Sequence, residues 1–422
     1  MSNRLSPKKS AQGISFSLFP KIRFSTFYKS APWKTCTLEG VAIFVTDRVS
    51  LKAITMEQYV STDNLLPNFE GITPASKLPP AESAVRFLEG DILISNIRPY
   101  LKKVWISNMN GGASNDVIVV RAHEDISNSF LGYLLKNERF IGHVMKGARG
   151  LKMPRGDLSQ IKQYPIAYPK QQEQKKIVEF LSLLDAQIDS QREKVIALEN
   201  HKNGLLQQLF PMNGSEMPNV RFPEFQNGPQ WKGKKLGDLL VETPRPIKMK
   251  DEKEYSLVTV KRRYGGVVPR EQLKGKSIKV KSQFLVKEND FLISKRQIVH
   301  NACGLVPKEL EGAIVSNEYS VMTPRKGCDI NFFNYFSQRP KASESFLRCS
   351  VGIVIEKMLF KLDSWLKEEF YFPSLPEQQK IAACLSSIDE LIDTHTKKLE
   401  ALKEHKKGLM QQLFPSLDGV KV

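Results

Sequence analysis

Few residue patterns in this 422-residue sequence could support catalysis. Gly228 to Lys235 (GPQWKGKK) resembles the phosphate-binding loop GxxxxGK, but Lys235 stands where a Ser or Thr must hold magnesium. The sequence has no GxGxxG after a strand-like run, no Asn-Pro-Pro tetrapeptide of an amino-methyltransferase, and no Pro-Asp dipeptide that could open a metal-dependent nuclease motif. Hydrolysis, methylation and ATP use are therefore unsupported, and no catalytic residue is predicted.

Metal and disulfide chemistry are not indicated either. The six histidines form no HxxxH or HExxH pattern, so no metal ligand is predicted. The five cysteines are scattered and form no CxxC pair, which argues against a disulfide scaffold and a zinc ribbon. The first residues lack the features of a signal peptide, and no apolar run approaches the ~20 residues that span a bilayer. A reduced, cytoplasmic setting is expected.

The chemistry that the sequence does favour is binding to a polyanion. Lys and Arg total 63 against 45 Asp and Glu, a formal net charge of +18. Residues 1–168 hold 22 basic and 13 acidic residues and residues 212–372 hold 28 and 19, whereas 169–211 and 373–415 each hold 6 of either sign. The basic excess thus lies in two separate segments, as expected of two nucleic-acid-binding domains with neutral connecting segments.

Clusters of basic residues in these two segments are the candidate DNA contacts. Each cluster follows a strand-like run or lies in a Gly-rich stretch, where loops held on a sheet could bring Arg to guanine edges. The candidates are Arg98, Lys102, Lys103, Arg149, Lys152 and Arg155 in the first segment and Lys261, Arg262, Arg263, Lys295 and Arg296 in the second. Because DILISNI precedes Arg98 and FLIS precedes Lys295 and Arg296, these post-strand residues are predicted to occupy equivalent places.

An internal repeat reveals the elements that must position these residues. Residues 169–211 and 373–415 match at a constant offset of 204 with 22 identities in 43 positions, which indicates a duplication. The intervening segments repeat more faintly: PKIRFSTFYKSAPW (20–33) matches PNVRFPEFQNGPQW (218–231), GDILIS (90–95) matches NDFLIS (289–294), and SND (114–116) matches SNE (316–318). The order is variable domain, helix, variable domain, helix.

Each repeated 43-residue segment is predicted to form one long helix bounded by prolines. Apolar residues recur at the alternating four and three spacing of a coiled-coil seam, which Gln191 and Lys202 interrupt in the first copy and His395 and Lys406 in the second. The apolar seam residues are Ile177, Leu181, Leu184, Ile188, Val195, Leu198, Leu205 and Leu209 in the first helix and Ile381, Leu385, Ile388, Ile392, Leu399, Leu402, Leu409 and Leu413 in the second.

The palindromic seam spacing predicts that the two helices pair antiparallel, with residue 177 facing residue 413. In this register Leu184 meets Lys406 and Lys202 meets Ile388, and the lysine stems are expected to lift their charge to water. The seam spans 32 residue steps, about 48 Å at ~1.5 Å per residue. This length matches about 14 base pairs of B-DNA, so a site with half-site centres about 12–15 base pairs apart is predicted.

The predicted fold class is α+β, with two pseudo-repeated globular domains separated by two long helices that pair as an antiparallel coiled coil. The domain segments mix short β-rich runs with a few helical stretches such as 129–140. The predicted boundaries are a tail at 1–19, a domain at 20–168, a helix at 169–211, a linker at 212–217, a domain at 218–372, a helix at 373–415 and a tail at 416–422.

The sequence has a doubled frame, the helix openings QKKIV and QQKIA, and the helix closings LLQQLFP and LMQQLFP. It also contains the segments YVSTDNLLPN (59–68), GDILIS and NDFLIS. In these features the chain resembles the specificity subunit of type I restriction-modification enzymes over nearly its whole length. The resemblance implies two target recognition domains, each binding half of a split double-stranded DNA site, held apart by the antiparallel helices. Because YSLVTVKRRYGGVV stands where YVSTDNLLPNFEGI does, the two half-sites should differ.

The resemblance also implies partners and cofactors. Two methyltransferase subunits are expected, with two ATP-dependent restriction and translocase subunits in the full complex. The chain itself would be non-catalytic, and S-adenosylmethionine, ATP and magnesium would act on the partner subunits. Two alternatives stay open from the sequence: a DNA-binding scaffold or regulator without a methyltransferase partner, which the same charge pattern permits, and an enzyme in its own right.

Overall fold

The computed structural model describes residues 18–212 and 215–417. The described residues form two compact units, one made of residues up to 191 together with residues from 398 onward, the other of residues 192–397. Each unit contains one of the two predicted domains and a part of both long helices. Residues 1–17 of the expected tail 1–19, residues 418–422 of the expected tail 416–422, and residues 213–214 of the linker lie outside the described residues.

The described part of the first unit is built on two four-stranded sheets and one two-stranded sheet. Its strands are β1 (Lys34–Thr37), β2 (Ala42–Phe44), β3 (Arg48–Ser50), β4 (Tyr59–Val60), β5 (Ser83–Phe87), β6 (Ile92–Ser95), β7 (Val104–Ile106), β8 (Gly111–Ala113), β9 (Val117–Ala122) and β10 (Pro165–Tyr168). Its helices are α1 (Leu38–Val41), α2 (Asn128–Leu135), α3 (Glu138–Lys146) and α4 (Leu158–Lys162), followed by the long helix α5 (Gln171–Leu209). The central sheet has the order β2-β9-β6-β7 and is antiparallel throughout.

The second unit repeats this plan. Its strands are β11 (Lys232–Lys235), β12 (Leu240–Glu242), β13 (Glu254–Val260), β14 (Val267–Lys274), β15 (Gln283–Leu285), β16 (Phe291–Ser294), β17 (Cys303–Leu305), β18 (Ile314–Ser316), β19 (Tyr319–Pro324), β20 (Ser350–Val351), β21 (Leu359–Phe360) and β22 (Glu369–Phe372). Its helices are α6 (Leu236–Leu239), α7 (Ile330–Ser337), α8 (Pro340–Arg348) and α9 (Leu362–Trp365), followed by the long helix α10 (Leu375–Leu413). The central sheet, β12-β19-β16-β17, is again antiparallel.

The second sheets of the two domains carry an extra strand at opposite edges. In both domains a strand that begins with Tyr or Glu-Tyr runs parallel to the strand before the SND or SNE turn: β4 to β8, and β13 to β18. In the first domain the extra strand is β3, which pairs with β5. In the second domain it is β14, which follows β13 as a hairpin and pairs with it. The domains therefore share a framework while their outer strands differ.

The central strands β6 and β16 are continuous apolar runs because both of their faces are covered. Ile92 and Ile94 pack with the helices of the first domain, and Leu93 packs between the two sheets. Phe291 and Ile293 of the second domain face its helices, and Leu292 faces its second sheet. A strand buried on both faces carries no polar alternation, which is why GDILIS and NDFLIS stand out in the sequence.

The predicted helical stretch 129–140 is wrong as a single helix. The chain forms two helices there, α2 and α3, and residues 136–137 separate them. The Ser127 side chain caps α2 by accepting from the N–H of Phe130, and the Asn137 side chain caps α3 by accepting from the N–H of Arg139. The apolar periodicity continues across this break, so only the capping residues mark it.

The ends of the long helices complete the domain cores. Phe414, which directly follows α10, packs edge-on against Phe130 of α2 with ring centres 5.6 Å apart. Phe210, which directly follows α5, stacks on Phe332 of α7 at 5.1 Å. Within each unit, the beginning of one long helix and the end of the other thus enter the same core. This arrangement makes the two helices antiparallel in each unit.

A buried arginine and a buried glutamate fasten each domain to a long helix. Arg23 donates from Nε and Nη2 to the two carboxylate oxygens of Glu173, at 2.7 Å each, and the indole N–H of Trp33 donates to the same carboxylate at 3.3 Å. The Arg23 and Glu173 side chains are only 7% and 3% exposed. The second unit repeats these contacts with Arg221, Trp231 and Glu377. We call these two groups the first and second helix clamps.

The expectation that the seam lysines lift their charge to water is wrong. In the first unit the Lys406 ammonium pairs with Asp185, and its Nζ lies 5.3 Å from the centre of the Tyr133 ring. The Tyr133 hydroxyl donates to the same Asp185 at 2.7 Å. The second unit repeats this group with Lys202, Asp389 and Tyr335, where the Lys202 Nζ lies 2.7 Å from the carboxylate. An aspartate one residue beyond the facing seam position takes the charge instead.

Candidate nucleic-acid interface

Arg98 and the Gly-rich stretch that follows α3 lie side by side. Arg149 and Arg155 exchange backbone hydrogen bonds at 2.9 Å, which closes residues 149–155 into a hairpin with Lys152 near its tip. We call this the first tip hairpin. The N–H of Arg98 donates to the carbonyl of Pro154 at 2.8 Å, so the post-strand segment is tied to this hairpin. The side chains of Arg98, Arg149, Lys152 and Arg155 are all exposed, and the structure brings these four predicted contacts together.

Lys102 and Lys103 lie on the same post-strand segment, but their ammonium groups are engaged within the domain. Lys102 Nζ donates to Glu138 at 2.8 Å. Lys103 Nζ donates to the carbonyl of Thr62 at 2.5 Å, and burial is the main cause that lowers the pKa of this lysine. These two predicted contacts stabilise the loops around them, which leaves the arginines as the more accessible cations.

In the second domain the predicted cluster KRRYGG forms the turn between β13 and β14. Arg263 and Tyr264 adopt the left-handed conformation, with φ of 56° and 57°, and their N–H groups donate to the carbonyls of His300 and Asn301. In the first domain Asn68 and Phe69 are left-handed as well and donate to Leu101 and Lys102 in the same manner. The two turns occupy matching places, so their different residues present different side chains from one framework.

The three basic residues of this turn differ in how firmly their side chains are held. Lys261 and Arg263 are exposed. Arg262 is also exposed but is held in place: its Nε donates to Gln297 at 2.7 Å and its Nη2 to Glu356 at 3.0 Å. Glu356 belongs to residues 350–360, which β20 and β21 close into a hairpin that we call the second tip hairpin. Arg262 therefore links the KRRYGG turn to this hairpin.

Lys295 and Arg296 directly follow β16 and face the SNE turn. Lys295 Nζ donates to the carbonyl of Asn317 at 3.1 Å, and Arg296 Nε donates to Glu318 at 2.7 Å. The carbonyl of Lys295 accepts from the N–H of Phe360, which ties this segment to the second tip hairpin. The second domain thus ties Arg262 and Lys295 to the second tip hairpin, as the first domain ties Arg98 to the first, and Arg296 directly follows Lys295.

The predicted equivalence of Arg98 and Arg296 is displaced by one residue. Arg98 immediately precedes a short 3-10 helix, Pro99–Leu101, and the residue that immediately precedes the corresponding 3-10 helix, Ile298–His300, is Gln297. An arginine in the first domain therefore occupies the position that a glutamine occupies in the second. Arginine suits guanine and glutamine suits adenine in direct base contacts, so this pair of positions supports a difference in preference between the domains.

Carboxylates that orient arginines were missed by sequence reasoning. Arg155 lies 3.0 Å from Asp116, and Arg296 lies 2.7 Å from Glu318. Asp116 and Glu318 are the last residues of the repeated SND and SNE turns. The repeat singles out these two carboxylates, but it does not indicate that they orient arginines. Each carboxylate occupies one edge of a guanidinium and leaves the remaining N–H groups for a partner.

A second missed pair stabilises the central strands. The Asp91 carboxylate, which precedes β6, accepts two hydrogen bonds from Arg121 at 2.7 Å each. Asp290, which precedes β16, accepts two from Arg245 at 2.6 and 2.9 Å. Both aspartates are 3% exposed or less, so these ion pairs belong to the framework of the interface and do not face a ligand.

The predicted seam residues lie on the paired faces of the long helices. Ile177, Leu181, Ile188, Leu209, Ile381, Leu385, Ile388, Leu399 and Leu413 are buried, and Leu184, Val195, Leu198, Leu205, Ile392, Leu402 and Leu409 are partly buried. Lys406 reaches the residue after Leu184, and Lys202 reaches the residue after Ile388, in line with the expected register.

The part of the chain that the structure describes contains no group of three or more His, Cys, Asp or Glu side chains that could hold a metal ion. Over the same residues, no helix is long and apolar enough to cross a membrane. All five cysteines are free thiols, and burial raises the pKa of Cys303 and Cys328 to about 12.

Comparison with known proteins gives a consistent result. A family model described as the type I restriction modification DNA specificity domain matches residues 33–200 and again residues 229–404. A chain from Methanocaldococcus jannaschii, proposed to be the MjaX specificity subunit of a type I restriction enzyme, is 26% identical over 358 residues, which is 80% of each chain.

Two solved structures share the fold. One is the type I restriction-modification S subunit from M. genitalium, with a TM-score of 0.58 and 13% identity over 94% of this chain and 100% of that one. The other comes from a structural study of complex assembly and conformational transition in a type I restriction-modification system, with a TM-score of 0.52 and 17% identity over 90% and 97% of the two chains.

Proposed function

Since the chain belongs to the type I restriction-modification DNA specificity family, with both of its domains matched, we propose that each domain recognises one half of a bipartite, asymmetric DNA site. The long helices fix the unread spacer between the halves and dock the methyltransferase subunits. The chain contributes recognition to the complex and no catalytic residue of its own.

One observation carries this proposal: the two domains present different side chains from equivalent backbone positions. Asn68 and Phe69 of the first domain match Arg263 and Tyr264 of the second, and Arg98 matches Gln297. A shared framework explains how both domains approach the duplex in the same way. Different loop residues explain why they would select different bases.

The helices suit contact with protein better than with DNA. Segments 169–211 and 373–415 carry equal numbers of basic and acidic residues, whereas each domain has an excess of nine positive charges. Because the helix segment is duplicated, it offers two similar docking surfaces. We therefore propose two methyltransferase subunits per chain, with two restriction and translocase subunits in the full complex. S-adenosylmethionine, ATP and magnesium are assigned to those partner subunits.

Methylome sequencing of the source cells, with and without the gene for this chain, tests the proposal. The expected result is a methylated motif of two short, different halves around an unread spacer, and loss of this motif when the chain is absent. A continuous motif, or a motif that persists without the chain, would contradict the proposal. If the chain purifies on DNA without any methyltransferase, the scaffold or regulator alternative takes its place.

Subunit stoichiometry is tested separately by native mass spectrometry of the reconstituted complex. Two methyltransferase copies per chain are expected at saturation. A saturated ratio of one would show that the duplicated helices do not provide two equivalent docking surfaces.

A further inference from the structure

Each domain exposes a bare aliphatic side chain at the tip of a hairpin. In the first tip hairpin, Leu151 is fully exposed, at 104% of its reference area, and Met153 is exposed by 52%. Gly150 precedes Leu151 with a φ of 103°, a conformation that favours glycine and turns the chain at the tip. A leucine fully exposed at a tight turn contributes no buried apolar area to folding, which leaves its side chain available for a contact outside the domain.

The second domain repeats the feature at a larger scale. Ile353 is also exposed at 104%, and it also follows a glycine with positive φ, Gly352. Val351, Val354 and Ile355 of the same hairpin are exposed by 53–62%. The two hairpins differ in length and share little sequence, yet both end in a glycine and an aliphatic tip. Recurrence of the tip in both domains argues against a chance surface residue.

Cations lie close to both tips. The first tip hairpin contains Arg149, Lys152 and Arg155 and no acidic residue. In the second tip hairpin Lys357 is exposed, and the single acidic residue, Glu356, lies 3.0 Å from Arg262 and 3.2 Å from His300. The backbone contacts of Arg98 and Lys295 place each hairpin beside the predicted DNA contacts. An apolar tip flanked by cations complements a polyanion whose interior is apolar.

We propose that the two tip hairpins enter a groove of the DNA and that Leu151 and Ile353 pack against the bases. The flanking cations contact the phosphates on either side, while the aliphatic tips reach thymine methyl groups or an opened base step between them. This inference rests on the proposed function. An acidic protein surface would attract the same cations, but it offers no recessed apolar layer behind a line of negative charge.

The experiment uses the complex of this chain with its methyltransferase and a duplex that carries the motif found by methylome sequencing. Leu151→Ser and Ile353→Ser are compared with wild type by fluorescence anisotropy over a series of salt concentrations. Val280→Ser, which truncates an aliphatic residue that is 46% exposed outside the hairpins, is the matched control. Lys152→Ser is the charge control, and Ile353→Leu tests rescue by another aliphatic side chain.

The tip variants are expected to weaken binding about tenfold, which is the scale of burying one aliphatic side chain. The slope of affinity against salt should stay unchanged, since no phosphate contact is lost, whereas Lys152→Ser should reduce the slope by about one. Val280→Ser and Ile353→Leu should bind like wild type.

Three outcomes would overturn the inference. Unchanged affinity in both tip variants would remove the hairpins from the DNA. An altered salt slope would show that the tips act only through neighbouring phosphate contacts. Weakened assembly with the methyltransferase, measured by native mass spectrometry, would assign the tips to a protein partner. If the wild-type complex fails to bind the duplex, the proposed function itself fails, so the two failures are distinguishable.

Discussion

The helix clamps should be strong determinants of stability, and Glu173→Gln is the variant that tests them. The substitution keeps the shape of the side chain and one acceptor oxygen, but it replaces the second oxygen, which accepts from Arg23 Nη2 at 2.7 Å, with an N–H₂ group. Two donors then face each other, and the Arg23 guanidinium, 7% exposed, loses its countercharge. Removing one partner of a buried ion pair costs about 3–5 kcal/mol.

The lower end of that range is expected here. Arg23 keeps its hydrogen bonds to the carbonyls of Ser30 and Ala31, at 3.0 and 3.1 Å, so the charge is not left without acceptors. We therefore expect Glu173→Gln to lower the free energy of unfolding by about 3 kcal/mol. Urea unfolding followed by tryptophan fluorescence is a direct assay because Trp33 donates to the same carboxylate. The midpoint should fall by roughly 1 M.

Two further variants make the test specific. Asp393→Asn breaks an exposed pair with Lys397, whose side chain is 76% exposed, and should leave the urea midpoint close to the wild-type value because water screens the pair. Glu377→Gln breaks the second clamp and should cost about as much as Glu173→Gln, since the contacts are the same. A loss below about 1 kcal/mol in both Gln variants would refute the assignment of the clamps as the main fastening of domain to helix.

Three other predictions follow from the structure. Burial lowers the pKa of Lys136 to about 8. The lysine of the unfolded chain has a pKa of about 10.4 and therefore binds the proton more tightly. The free energy of unfolding should consequently rise as the pH increases from about 8 to 10. Lys136→Gln, which copies Gln338 at the corresponding helix end, should therefore stabilise by about 1–2 kcal/mol at pH 7 and by much less at pH 10, as urea unfolding at both values would show. Arg296→Ala should cost about 1–3 kcal/mol in DNA affinity and relax base choice at one position, and Glu318→Gln should relax base choice at the same position. Selection of methylated sites from a random library checks both variants. Uniform weakening of binding at all sites would instead make Arg296 a phosphate contact. Removing one heptad from both α5 and α10 should shorten the unread spacer by about three base pairs, since seven helical residues span ~10 Å, and a methylome with an unchanged spacer would rule out the helices as a ruler.

The parts of the fold that follow from the sequence are those with a short-range signal. Periodicity locates the long helices, because the same three- and four-residue spacing repeats through 43 positions in both copies. The strands β6 and β16 follow from apolar runs, and the duplication assigns the second domain the same plan as the first. The break between α2 and α3 escaped prediction, because the capping of α3 by Asn137 leaves the apolar pattern uninterrupted.

The side-chain partners could not be read from the sequence, because they join residues far apart along the chain. Nothing near Lys406 indicates that Asp185 would take its charge, and nothing near Arg296 points to Glu318. The match of GDILIS to NDFLIS already places Arg98 opposite Gln297 at an offset of 199, and the 3-10 helices that follow both residues agree with this alignment. The tip hairpins escaped notice for a related reason: an exposed Leu or Ile looks like any core residue until its surroundings are known.

Met410 and Leu413 of α10, and Phe414 directly after it, belong to the core of the first domain, and this has a consequence during synthesis. The first domain leaves the ribosome long before these residues do, because residues 192–397 must be made in between. At bacterial or eukaryotic elongation rates of about 5–20 residues per second, Phe130 and its neighbours wait roughly 10–40 s without their final covering. The apolar surface that these residues cover stays exposed during this interval. A premature stop codon in the last dozen codons of α10 would damage the domain that was translated first.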